Sequence, residues 1–233
     1  MNSLSKEARV AGALYILASA FGVVRLIYIP SKLIVSDNAA PTVNNIVAHE
    51  TLFRFGIFSD LIGSVIWIFV VLALYRLLRR VDEEVAAVML ILGALIPLPL
   101  FFVNAVNDAG ALLFARGADF LAVFDQPQRE AFAMLFLRLH HYLVLANEIF
   151  WGLWLIPFGL LVYRSRFLPR ILGIWLIVGC FGYLALSFAG LMFPGHEDQV
   201  FKFAQPATLS ELAMMLWLVI VGAKEQRMAP ALA

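Results

Sequence analysis

Apolar residues run almost unbroken through positions 10–29, 52–75, 85–106, 140–163, 171–192 and 207–223, and polar residues collect between these runs. Each run is about 20 residues long, the length a helix needs to cross about 30 Å of hydrocarbon at 1.5 Å per residue. The pattern predicts an all-α polytopic membrane protein, a single domain of six transmembrane helices over 1–233. Two connecting segments also have helical character. Positions 42–51 follow Pro41, with Thr42 as a helix cap, and lead without a breaker into the second run. Positions 127–139 start with Pro127 and mix polar with apolar residues, as expected of a helix lying on the membrane surface. Within the third run, Pro97 and Pro99 predict a kink, because each proline removes a helix hydrogen bond and crowds the preceding turn.

Composition agrees with the pattern. Of the 233 residues, 63% are hydrophobic and 14% charged, and the mean hydropathy is +0.90, far from soluble values. The formal charge of +1 carries no nucleic-acid footprint. The lone Cys180 excludes an internal disulfide and any multi-cysteine metal site. The first run contains Ala18-Ser19-Ala20, a cleavage-like tripeptide, but apolar residues continue well past it, so it is expected to remain as a span.

Orientation follows from the basic residues, which are retained on the cytoplasmic side of spans. Lys6, Arg9, Arg76, Arg79, Arg80, Arg164, Arg166, Arg170, Lys224 and Arg227 share one side when both termini are inside. The expected location is the inner membrane of a prokaryote, N-in and C-in, with membrane lipids as partners. Nothing in the pattern sets an oligomeric state.

The helices that run inward begin alike: SDLIGSVIW at 59–67, NEIFWGLW at 147–154 and SELAMMLW at 210–217. Each has a small polar residue, an acid, an aliphatic residue and then Trp67, Trp154 or Trp217, which suggests a packing layer. Asp60 precedes Tyr75-Arg76 by the same 15 residues that separate Glu148 from Tyr163-Arg164, and RVAG at 9–12 parallels RILG at 170–173. The simplest account is three pseudo-repeated helical hairpins, with Asp60, Glu148 and Glu211 at equivalent depths.

Ionisable groups at membrane depth cost about 2.5–3.5 kcal/mol on insertion scales, so they face the bundle interior or a wet cavity. They crowd the outer halves here: Arg25, Asp60, Asn104, Asn107, Asp108, His140, His141, Asn147, Glu148, Ser187 and Glu211. At about 100° per residue, Arg138, His141, Leu145 and Glu148 form one stripe of their helix, and His140 and Asn147 a second. This asymmetry predicts an outward-facing polar pocket that binds a small amphipathic, cationic or lipidic ligand through Arg25, Asp60, Asn104, Asp108, His141, Asn147, Glu148 and Glu211. Trp151, Tyr142, Phe101 and Phe102 would supply its aromatic walls.

The competing reading is a metal-assisted or acid-base membrane enzyme. Its metal candidates are His49, His141 and Glu148, ligand types that zinc and non-haem iron accept, though no compact metal signature or nucleophile elbow is present and no cofactor is expected outright. A third reading has the same groups tying helices together in a structural or partner-binding protein, with Glu50 and Arg54 an ordinary surface pair.

The segments at 32–62 (KLIVSDNAAPTVNNIVAHETLFRFGIFSDLI), 163–173 (YRSRFLPRILG) and 209–222 (LSELAMMLWLVIVG) resemble the bacterial and archaeal integral-membrane family known as domain of unknown function 4386. The resemblance extends over nearly the whole chain. It implies a multi-helix prokaryotic membrane protein and supplies no reaction and no catalytic residues.

Overall fold

Residues 3–224 are described in a computed structural model, and Arg227, one of the basic residues that set the expected orientation, lies outside them. The described chain is helical, in the order α1 (Ser3–Leu33), α2 (Ala39–Ala48), α3 (Glu50–Leu78), α4 (Glu83–Arg116), α5 (Gln126–Arg164), α6 (Arg170–Met192) and α7 (Glu197–Ile220). All but α2 are long and apolar enough to cross a membrane, six in total among the described residues. Large apolar side chains such as Phe69, Ile174, Phe181 and Phe188 are left exposed on their surfaces, which a lipid environment accommodates without cost. The chain is a multi-pass helical membrane protein.

The short segments depart from the sequence pattern in two places. The helix expected at 42–51 starts at Ala39 and ends at Ala48, and His49 breaks it from α3. Thr42 is therefore not the cap. Its hydroxyl sits inside the first turn, accepting from the Val35 amide at 3.0 Å and lying 2.8 Å from the Asn38 carbonyl. The surface helix expected at 127–139 is instead the first half of α5, which continues to Leu153 without interruption. Asp125 starts it with a reciprocal cap: its carboxylate accepts from the Gln128 amide at 2.8 Å, and the Gln128 side chain accepts from the Asp125 amide at 3.0 Å. After Pro127 the sequence holds no breaker before the membrane run, so nothing stops the helix.

Two wide turns adapt helices to prolines. In α4 the turn Ile91–Leu95 is π-helical, with the Ile96 amide bonded to the Ile91 carbonyl at 3.2 Å, directly before Pro97. A second π-turn, Val24–Tyr28, precedes Pro30 in α1, and its last-turn residue is the buried Arg25. Such turns re-aim side chains and occur often at functional sites.

The chain divides into two compact units, to both of which α1, α3, α4 and α5 contribute segments. The first unit comprises Met1–Ile16, Trp67–Ile96 and Glu148–Ala233. Its core holds a ring cluster in which Trp67 lies 5.3 Å from both Tyr15 and Trp154, and Trp154 stacks 5.1 Å from Phe158. Two members of the expected tryptophan layer meet, and Tyr15 supplies the third ring. The Trp67 indole donates to the Gly93 carbonyl at 2.6 Å. Helices α5 and α6 approach through Gly159 and Gly173, where an added Cβ on Gly159 would lie 2.5 Å from the Gly173 carbonyl oxygen. Small residues at such crossings let backbones pack where no hydrophobic drive operates between helices.

The second unit comprises Leu17–Ile66 and Pro97–Asn147. Its core joins Ile29, Leu33, Ile46, Phe53, Ala111, Leu112 and Leu137 from α1 to α5. Gly110 of α4 receives the Phe136 ring of α5, which leaves no room there for a Cβ.

Candidate functional site

Arg25, Asp108, Asp60 and His140 of the second unit converge. The π-turn presents Arg25 to α4, where both Nε, at 3.0 Å, and Nη2 donate to Oδ2 of Asp108. The two side chains are 4% and 1% exposed. Nη2 also lies 3.0 Å from Nδ1 of His140 on α5. The guanidinium only donates, so Nη2 is directed at this ring nitrogen as well as at the carboxylate. Oδ1 of Asp108 is 3.2 Å from the same ring nitrogen but outside hydrogen-bond geometry, and has no donor of its own. Asp60 of α3 completes the group: one ligand atom each from Asp60, Asp108 and His140 lie within 4.8 Å of one another. Oδ2 of Asp60 has no partner either. One turn before Asp108, Asn104 is 2% exposed with an unpartnered Oδ1.

Acceptors outnumber donors here. Arg25 is engaged by Asp108 and His140, and oxygens of Asp60, Asp108 and Asn104 are left without a hydrogen bond. Buried ionic groups are normally paired and hydrogen-bonded, since an unpaired one carries a desolvation penalty of several kcal/mol. A cation or a donor-rich head group would supply the missing partner.

In the first unit the acids behave differently. Glu211 accepts from the Tyr15 hydroxyl at one oxygen and from Tyr183 at 2.6 Å on the other. Helices α1, α6 and α7 are thereby tied together, the structural role weighed for this acid, but through tyrosines rather than basic residues. Glu148 is half-buried and its Oε2 has no partner.

The family described as domain of unknown function DUF4386 matches residues 10–222. The chain belongs to this family. No curated protein and no solved structure matches it. For this DUF4386 member the site must therefore be read from its own residues.

Of the residues expected to bind ligand, the second unit brings together Arg25, Asp60, Asn104 and Asp108, while Glu148 and Glu211 belong to the first unit. His140 takes the place expected of His141. The stripe of His140 and Asn147 is the buried one, 8% and 1% exposed, whereas His141 is half-buried beside Tyr142. Among the described residues, the expected metal candidates form no cluster, and His49 is exposed at the break before α3, 3.1 Å from the Asn45 carbonyl. Among the described residues, the carboxylate and histidine atoms that do cluster are those of Asp60, Asp108 and His140. Phe102 and Tyr142, expected as aromatic walls, are exposed. Glu50 and Arg54 pair at 2.7 Å on the surface as expected, and Arg116 joins them at 3.4 Å. A separate cavity of about 330 Å³ in the second unit, bounded by Val43, Val47, Phe114, Arg129 and Glu130, includes none of the expected ligand-binding residues.

Proposed function

We propose that this DUF4386 protein is a binding protein of the prokaryotic inner membrane whose ionic group in the second unit takes a small cationic ligand or the cationic head of an amphipathic or lipidic one. The observation that carries this reading is the acceptor surplus: Asp60 Oδ2, Asp108 Oδ1 and Asn104 Oδ1 are buried without donors beside a single guanidinium. In a low-dielectric interior such groups are costly unless a partner satisfies them. The basic turns at 76–80 and 164–170 support an orientation with both termini cytoplasmic, which directs the polar end of the spans outward.

The three motif helices also support a pseudo-repeat of hairpins. Ser59, Asn147 and Ser210, the small polar residues before each acid, are all fully or almost fully buried with unpartnered side-chain atoms. The acids that follow them are all half-buried.

The test is native mass spectrometry of the protein released gently from detergent. A bound small molecule or lipid is expected in the wild type and reduced at least tenfold in Asp60→Asn. Ligand-free spectra for both proteins, across several detergents and lipid nanodiscs, would reject the binding reading in favour of a structural one.

A further inference from the structure

We propose that Asp60, Asp108 and His140 form a site for one divalent transition-metal ion of the zinc class, with Arg25 as the residue that positions Asp108. The inference rests on the cation-binding reading above and narrows it from a cationic ligand in general to a coordinated ion.

Geometry is the first support. A tetrahedral ion with bonds of about 2.0–2.1 Å holds its ligand atoms about 3.3 Å apart. The separation of 3.2 Å between Asp108 Oδ1 and His140 Nδ1 matches that spacing. Asp60 is within 4.8 Å of both partners, so a side-chain adjustment of up to about 1.5 Å closes the set. The ligands come from three different helices, α3, α4 and α5, and are fixed by their packing rather than by a flexible loop.

Unsatisfied atoms are the second support, independent of spacing. Asp60 Oδ2 and Asp108 Oδ1 are lone-pair donors that no hydrogen bond uses. Asn104, on the face of α4 that carries Asp108 one turn later, adds a buried, unpartnered amide oxygen. Glu211 is a useful contrast, because both its oxygens are already taken by tyrosine hydroxyls.

Charge and ligand type then select the ion. Two carboxylates and an imidazole suit zinc, manganese or iron. A calcium ion prefers six to eight oxygens. The cluster includes no thiolate for ions that seek one. One of the two carboxylates already faces Arg25, and a divalent ion would give the other a cation to bind. Arg25 grips only Oδ2 of Asp108 and so directs Oδ1 at the ion, the outer-shell arrangement common at metal sites. An ion at Nδ1 of His140 would replace the Arg25 contact there and leave both nitrogens of Arg25 on Asp108.

The test is isothermal titration of tag-free, chelator-treated full-length protein in detergent with Zn²⁺ alone, repeated with Mn²⁺. One ion per chain is expected, with affinity at least tenfold weaker in Asp60→Asn and in His140→Gln and unchanged in His49→Gln and Glu211→Gln. Because a variant can fail to fold, unmodified protein is also titrated with Co²⁺, whose visible bands should report nitrogen and oxygen ligation at one equivalent. No saturable uptake of any of the three ions, or uptake that persists in Asp60→Asn with a wild-type circular dichroism spectrum, would overturn the metal site. If metal uptake fails while a co-purified ligand is still lost in Asp60→Asn, the metal inference falls and the binding reading stands; if both fail, both fall.

Discussion

Two nitrogens of Arg25 converge on one oxygen of Asp108, and the second oxygen of that carboxylate is left without a donor. The arrangement is lopsided for a mere tie between helices. A guanidinium meeting a carboxylate for stability alone favours the two-oxygen fork, which satisfies both partners. Here Arg25 orients Asp108 and leaves half its capacity for something else.

Breaking this pair from one side should be severe. Arg25→Met leaves Asp108 buried without its cation and should destabilise the protein by about 3–5 kcal/mol, whereas Arg25→Met combined with Asp108→Leu should recover most of that loss. Unfolding by denaturing detergent in mixed micelles measures both. Equal losses in the single and double variants would show that the pair is not the source of the cost.

The tyrosine grip on Glu211 predicts smaller, non-additive effects. Tyr15→Phe and Tyr183→Phe each leave one buried carboxylate oxygen unsatisfied, at a cost of about 1–3 kcal/mol. The double variant should fall short of the sum, since residues in one network couple. Strict additivity in the same micelle assay would mean that the hydroxyls do not share the acid.

Helix crossing makes a sterically based prediction. Gly159→Ala places a Cβ 2.5 Å from the Gly173 carbonyl oxygen, and overpacking of this kind costs about 1–3 kcal/mol. Gly22→Ala meets nothing within 4 Å and removes a helical glycine, so it should be neutral or stabilise by up to about 1 kcal/mol. The two thermal midpoints should move apart; a shared shift would contradict the close approach of α5 and α6 at Gly159.

Orientation is accessible through the native cysteine's burial. Cys180 is fully buried, so an added cysteine can be labelled against a quiet background. With both termini cytoplasmic, Asp37→Cys should react with a membrane-impermeant maleimide in intact cells, and Arg79→Cys only after permeabilisation. The reverse labelling pattern would invert the topology.

The spans were readable because twenty apolar residues in a row have few structural alternatives. Much of the site was readable too: Arg25, Asp60, Asn104 and Asp108 are polar where only a partnered group is tolerated, and the second unit gathers them. What hydropathy does not encode is azimuth. His140 and His141 are neighbours about 100° apart on α5, and both of their stripes carry plausible polar residues. Only packing places the stripe of His140 and Asn147 inside. The π-turn that presents Arg25 was equally hidden, since its sequence differs from an ordinary helical turn only by the proline that follows it. Equivalent motifs also did not mean equivalent partners: Glu211 has two tyrosines, Tyr15 and Tyr183, that the repeat at 59–67 and 147–154 does not announce.

The central claim is that Asp60, with its unpartnered oxygen, and not the satisfied acid Glu211, holds the ligand. Native mass spectrometry of Asp60→Asn beside Glu211→Gln tests it most directly. The account predicts that the bound species disappears from Asp60→Asn and is retained by Glu211→Gln; a species retained in Asp60→Asn, or lost only from Glu211→Gln, would contradict it.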